Sequence, residues 1–167
     1  MVRRRVTTDR KDAMQRDEAS RVDNAEESAE GRVLGREVRG PIGAGELETV
    51  PWSHPSSDAV VEFSTDELTA FCPVTGQPDF YVFRLSYRPG ERLLESKALK
   101  LYLWGFRDKG AFAEDLAATM LEDLVAACEP REMTVDLTQK VRGGLELRAV
   151  VRYPARDAWA ESRRPID

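Results

Sequence analysis

Phe80-Tyr81-Val82-Phe83-Arg84-Leu85-Ser86-Tyr87 reads as a strand, because Tyr81, Phe83, Leu85 and Tyr87 share one face while Arg84 and Ser86 fall on the other. A period of two with aromatic and aliphatic residues on one side is the pattern of a half-buried sheet. Upstream, Val60 to Ser64 is a shorter run with β-branched content, a second strand. Downstream, Arg88-Pro89-Gly90 turns the chain. A helix is expected from about Leu94 to Phe106. A second follows, in which Phe112, Leu116, Met120, Leu124 and Cys128 recur every four residues and Leu121 and Val125 widen the stripe. Cys128 thus reads as core, and Pro130 suits a stop just beyond the helix. The pattern closes with a hairpin, Met133 to Lys140 and Leu145 to Arg152, turned by Arg142-Gly143-Gly144. Strands, two consecutive helices and strands again describe an α+β domain, with both helices on one face of an antiparallel sheet.

The 167 residues suffice for one domain with a real core and leave little for a second. Residues 1–45 are rich in Arg, Asp, Glu, Ser and Ala and poor in large apolar side chains, so they are expected to form a disordered or loosely ordered tail. The single folded domain is expected over 46–167, starting near Leu47. Hydrophobic residues make up 41%, charged residues 33%, and the net charge is −5. An acidic chain without a basic patch beyond its first residues is not expected to bind nucleic acid. Cys72 and Cys128 are the only cysteines and His54 the only histidine, so neither a zinc site nor a disulfide framework is expected. His54, in the loop-like Pro51-Trp52-Ser53-His54-Pro55, reads as a structural or surface residue. No apolar run approaches the roughly twenty residues of a membrane helix, and no secretory leader is evident. A cytoplasmic location, which keeps thiols reduced, is the expectation.

Chemistry concentrates just before the deciding strand, in Phe71-Cys72-Pro73-Val74-Thr75-Gly76-Gln77-Pro78-Asp79-Phe80. Pro73 pushes Cys72 toward extended backbone, and Gly76 and Pro78 supply turn chemistry. Such a loop can present a thiol rather than bury it. If it curls back, Asp79 approaches the sulfur and a nucleophile gains a proton-transfer partner. Glu95-Ser96-Lys97-Ala98-Leu99-Lys100-Leu101-Tyr102-Leu103 follows, then Phe112-Ala113-Glu114-Asp115 and Arg142-Gly143-Gly144.

With these motifs in their order and spacing, from about Val50 to Tyr153, the chain resembles the short single-module NADPH-dependent 7-cyano-7-deazaguanine reductases, the nitrile reductases of queuosine (tRNA modification) biosynthesis. The resemblance implies the tunnelling fold (T-fold), whose subunits join edge strands into a ring-like barrel with active sites between neighbours. It also implies a homo-oligomer, a decamer of two stacked pentamers, with a small-molecule substrate and NADPH as cofactor. Cys72 is then the nucleophile that forms a thioimide with the nitrile and Asp79 the acid. Leu94, Glu95, Ser96, Ala113 and Glu114 occupy substrate-lining positions, and Ser96, Lys97, Arg142 and Gly143 match cofactor contacts. One departure stands out: the family carries histidine immediately before the glutamate matching Glu114, and this chain has Ala113. Two other readings compete. One is a relative that resolves the thioimide with an amine, as the amidine-forming transferases on this scaffold do; the other is a non-catalytic deazapurine-binding protein.

Overall fold

The computed structural model describes residues 40–155. The expectations for residues 1–39 and 156–167 lie outside the described residues. Eight elements follow a short 3-10 turn at Ala44–Glu46: β1 (Thr49–Pro51), β2 (Val61–Phe71), β3 (Pro78–Arg88), β4 (Arg92–Leu94), α1 (Ser96–Trp104), α2 (Ala113–Cys128), β5 (Glu132–Arg142) and β6 (Leu145–Tyr153). The four long strands form an antiparallel sheet in the order β2-β3-β5-β6, and β1 pairs with β4 in a separate two-stranded ribbon.

The deciding strand behaves as its alternation requires. Tyr81, Phe83, Leu85 and Tyr87 are all buried, as are Met133, Val135 and Leu137 on β5 beside them. Each such side chain contributes about 1.5–3 kcal/mol on leaving water. Onto this face pack α1, toward β2, and α2, toward β5 and β6. The opposite face is polar: Asp136 accepts two hydrogen bonds from Arg148, at 2.9 and 2.7 Å. The expected α+β architecture, with both helices on one side, is therefore what the chain adopts.

Several boundaries differ, each for a local reason. β2 continues through Asp66-Glu67 to Phe71, far beyond Ser64, because a register shift between Thr65 and Leu68 lets the charged pair bulge out before the inward pattern resumes at Leu68 and Ala70. β1 and β4, three residues each, are too short to carry a period. α1 starts two residues after Leu94 and ends at Trp104, because the Glu95 side chain caps it. In α2 the buried stripe is Ala113, Leu116, Ala117, Met120, Leu124 and Cys128. Phe112 is instead 54% exposed: it is the extended N-cap residue, so its side chain leaves the helical stripe. Ordered packing also begins before residue 46, since Ile42 is buried and its N–H donates to the Leu101 carbonyl at 3.3 Å.

Two turns set the ends of the sheet. Gly143 and Gly144, at φ 61° and 82°, form a two-residue hairpin turn whose positive angles match strand twist. At the other end Gly90 passes so close to the C-terminus of α2 that a Cβ there would lie 2.6 Å from the Glu129 carbonyl oxygen.

Candidate active site

Pairing of Ala70 with Asp79 and of Phe71 with Pro78 brings the end of β2 against the start of β3. Between them the Cys72 loop is closed by its own backbone: Cys72 N–H donates to the Gln77 carbonyl at 2.8 Å, and Gly76 N–H to the Cys72 carbonyl at 2.9 Å. The loop before α2 is stitched to the same corner. Phe71 N–H donates to the Lys109 carbonyl and Ala111 N–H to the Phe71 carbonyl, at 2.8 and 3.1 Å. Ala113 and Glu114, at the start of α2, therefore share an end of the molecule with Cys72. The far end of β5 delivers Arg142.

The cysteine is more enclosed than a presenting loop suggests. Cys72 is only 7% exposed and Asp79 5%, both facing inward. The guanidinium of Arg142 joins them: one nitrogen donates to Asp79 Oδ1 at 2.5 Å, another lies 3.6 Å from Cys72 Sγ. The Cys72 thiol is lowered to about 7, first by a hydrogen bond from the Thr75 side chain, then by the N–H groups of Thr75 and Val74 and by Arg142, with burial working against them. The lowering raises the ionised share of the thiol near neutral pH, and a thiolate is the form that attacks carbon. Arg142, held by the sulfur and by Asp79, is raised further above its usual range. Tyr81, two residues after Asp79 on the same face of β3, completes the cluster. Sequence reasoning assigned Thr75 no role, and Tyr81 only a place in the core. The available signal for Thr75 was its position three residues after a cysteine in a turn that must fold back.

The remaining candidates lie elsewhere in this chain. Leu94 is buried in the core, its N–H donating to Tyr87 Oη at 3.1 Å. Glu95 caps α1, accepting from the N–H groups of Lys97 and Ala98 at 2.9 and 2.7 Å and from the Ser96 hydroxyl at 3.3 Å. Burial opposes ionisation of Glu95, but these donors prevail and hold its carboxyl below the usual range. Ser96 is exposed and Lys97 half-buried. From this end α1 runs the length of its nine residues, about 13 Å, before the chain reaches the loop beside Phe71. Cys72, Asp79, Ala113, Glu114, Arg142 and Gly143 thus gather at one end, and Leu94 to Lys97 at the other. Exposed apolar side chains surround the first group: Val74, Phe80, Phe112, Val141 and Leu145 are each at least half exposed. His54 is exposed and stands apart, edge-on to Trp52. No group of His, Cys, Asp and Glu among the described residues is arranged to hold a metal.

A small α+β domain with both helices on one face of an antiparallel sheet is the framework of a T-fold protein, and here it carries a cysteine of lowered pKa beside a buried carboxylate. The structure matches that of an archaeosine synthase QueF-Like protein in the apo form with a TM-score of 0.56 at 23% identity, over 60% of this chain and 98% of the other. A family model described as QueF-like protein matches residues 78–158. The NADPH-dependent 7-cyano-7-deazaguanine reductase of Syntrophus aciditrophicus is 43% identical over 129 residues, 77% of this chain and 89% of that protein. Its counterpart in Alkalilimnicola ehrlichii is 46% identical over 115 residues, 69% and 88% of the two. The chain belongs to the family of NADPH-dependent 7-cyano-7-deazaguanine reductases.

Proposed function

We propose that this chain reduces the nitrile of 7-cyano-7-deazaguanine to an aminomethyl group with NADPH, in the pathway to queuosine, through a thioimide on Cys72. The observation that carries the mechanism is the Cys72–Arg142–Asp79 cluster. A nitrile carbon is a modest electrophile and needs a soft, ionised nucleophile, and Cys72 titrates near neutrality. As the sulfur–carbon bond forms, one carbon–nitrogen π bond becomes an N–H bond. The thiol proton leaves sulfur and Asp79 relays it to nitrogen, so the addition is proton-neutral. NADPH would supply a first hydride to the thioimide carbon; the sulfur–carbon bond then breaks, returning the Cys72 thiolate and leaving an imine. A second hydride would take that carbon to the amine, each hydride being matched by one proton.

Recognition divides between two surfaces. Glu114, exposed in the first turn of α2, offers a carboxylate to the ring N–H and amine of a guanine-like base. Arg142 and Lys97 offer charge to cofactor phosphates, and at Gly143 and Gly144 nothing lies within 4 Å of where a Cβ would stand, leaving the backbone open to close approach. Arg142 would then exchange part of its hold on Asp79 for phosphate. Because Glu95, Ser96 and Lys97 sit at the other end of the chain, a complete site is assembled from two copies, one giving the thiol half and its neighbour the start of α1. The apolar rim around the thiol half supports that arrangement, and β2 and β6, the edge strands among the described residues, are surfaces on which a ring closes. The substrate is the free base, with no nucleic acid required. No helix among the described residues is long and apolar enough to cross a membrane. A cytoplasmic setting suits both the free thiol and NADPH.

The test is loss of NADPH absorbance on mixing protein and 7-cyano-7-deazaguanine. Oxidation of two NADPH per nitrile, abolished by Cys72→Ala, is the expected result. Folded, assembled protein that consumes none would move the weight to an amine-transferring or purely binding role.

A further inference from the structure

Tyr81 is fully buried, yet its hydroxyl has no hydrogen-bond partner among the described residues. The only other such side-chain atom among them is Trp52 Nε1, in the segment between β1 and β2. A buried hydroxyl without a partner is costly, and native proteins retain one where something else completes it. The position of this one is specific. Asp79 and Tyr81 stand two apart on β3, both turned inward, while Phe80 between them is half exposed. Burial first, then the charge of Asp79, with smaller contributions from Cys72 and Glu114, push the phenol up to about 12, while Arg142 works in the other direction. The hydroxyl therefore keeps its proton at neutral pH and has an O–H to donate. One helix start away, beside Glu114, Ala113 presents a buried methyl group that can donate nothing.

We propose that the Tyr81 hydroxyl is the hydrogen-bond donor to the nitrogen of the nitrile, supplying from β3 a donor that the methyl group of Ala113 on α2 lacks. The inference rests on the nitrile-reductase reading and deepens it. While sulfur adds to carbon, negative charge grows on nitrogen; Tyr81 Oη donates a hydrogen bond to that nitrogen and retains its own proton, and Asp79 delivers the proton that ends as N–H. No atom is lost or gained at Tyr81. A donor placed where charge develops acts on the transition state more than on the bound substrate.

Tyr81→Phe removes one oxygen and keeps the ring that packs the core. Two rates are read: turnover with NADPH, and formation of the covalent Cys72 adduct with the nitrile alone, followed by absorbance without cofactor. Both are expected to fall roughly 10- to 100-fold, the worth of a hydrogen bond to a charged group, with assembly and the KM for NADPH unchanged and the melting temperature unchanged or raised by loss of the unpartnered hydroxyl. Ala113→His added to Tyr81→Phe is expected to recover adduct formation, an outcome that a packing role for the hydroxyl would not produce. Adduct formation at the wild-type rate in Tyr81→Phe would overturn the proposal. So would a Tyr81→Phe chain that fails to fold, since the hydroxyl would then have a structural task. Wild-type protein that forms no adduct at all would instead sink the reductase reading, and this proposal with it.

Discussion

Cys72 is activated by short-range donors, and no imidazole takes part. The hydroxyl and N–H of Thr75, the N–H of Val74 and the guanidinium of Arg142 stabilise the thiolate in that order, against the burial that disfavours it. Because the pKa is lowered, the reactive form is present above about pH 7 and is lost as pH falls below it. Iodoacetamide alkylation of Cys72, followed by mass spectrometry across the neutral range, should therefore reach half its limiting rate near pH 7. Thr75→Val and Arg142→Ala should each move that midpoint upward, toward the ordinary thiol value of 9.0. A shift of one unit leaves roughly a fifth as much thiolate at pH 7. A midpoint that stays put in both variants would mean the loop backbone alone holds the thiolate. The closeness of Cys72 and Asp79 was legible in the sequence because only six residues, rich in turn chemistry, separate them. The intervention of Arg142 was not: it arrives across 63 and 70 residues of chain, by a hairpin whose register no local pattern specifies. Tyr81 was legible as a buried face of a strand but not as a donor, since alternation reports which way a side chain points and nothing about what its hydroxyl lacks.

At the scale of elements, the periods of β3 and α2 carried most of the fold. Both are long, and both bury a face whose spacing nothing interrupts apart from the cap at Phe112. β2 was underread because Asp66 and Glu67 break its alternation. The break is a bulge, anchored by Thr65 Oγ1 accepting from the Glu67 N–H at 3.1 Å, and beyond it the strand returns to Leu68 and Ala70. That return carries the chain on to Cys72, so an irregularity in the pattern is part of what positions that thiol. The opposite end depends on a close crossing. Glu129, the left-handed cap of α2 at φ 46°, is held by its N–H to the Val125 carbonyl, and Arg131 N–H donates to the Arg88 carbonyl, both at 2.9 Å. Gly90 fits beneath this cap only because it has no side chain. Gly90→Ala should cost about 1–3 kcal/mol as strand turn and helix end are forced apart, lowering the midpoint of thermal unfolding by several degrees. The Cys72 alkylation profile, read at the other end of the sheet, should not change. An unaltered melting temperature would show that the joint yields at no cost.

At the scale of the whole molecule, the separation of the candidate residues is the informative feature. Cys72, Asp79 and Arg142 stand at one end of the sheet, and the start of α1 at the other. A rigid domain has no means of folding one end onto the other, so a site that uses both sets draws them from two copies related by a rotation that closes. Subunit mixing tests this directly. Cys72→Ala removes the thiol half and leaves Lys97; Lys97→Ala removes a phosphate contact from the other half and leaves the thiol. Each variant assembled alone should be inactive or nearly so. When the two are unfolded together, refolded and allowed to assemble at random, a site has an intact thiol half in half the cases and an intact neighbour in half of those, so about a quarter of wild-type activity should return. Variants mixed without dissociation should stay inactive, which separates exchange of subunits from contamination by wild type. If each chain instead built its own site, every site in the mixture would contain one of the two lesions and no activity would return. The quarter therefore depends on the sharing of sites alone, and it distinguishes a shared site from a private one whatever the number of subunits.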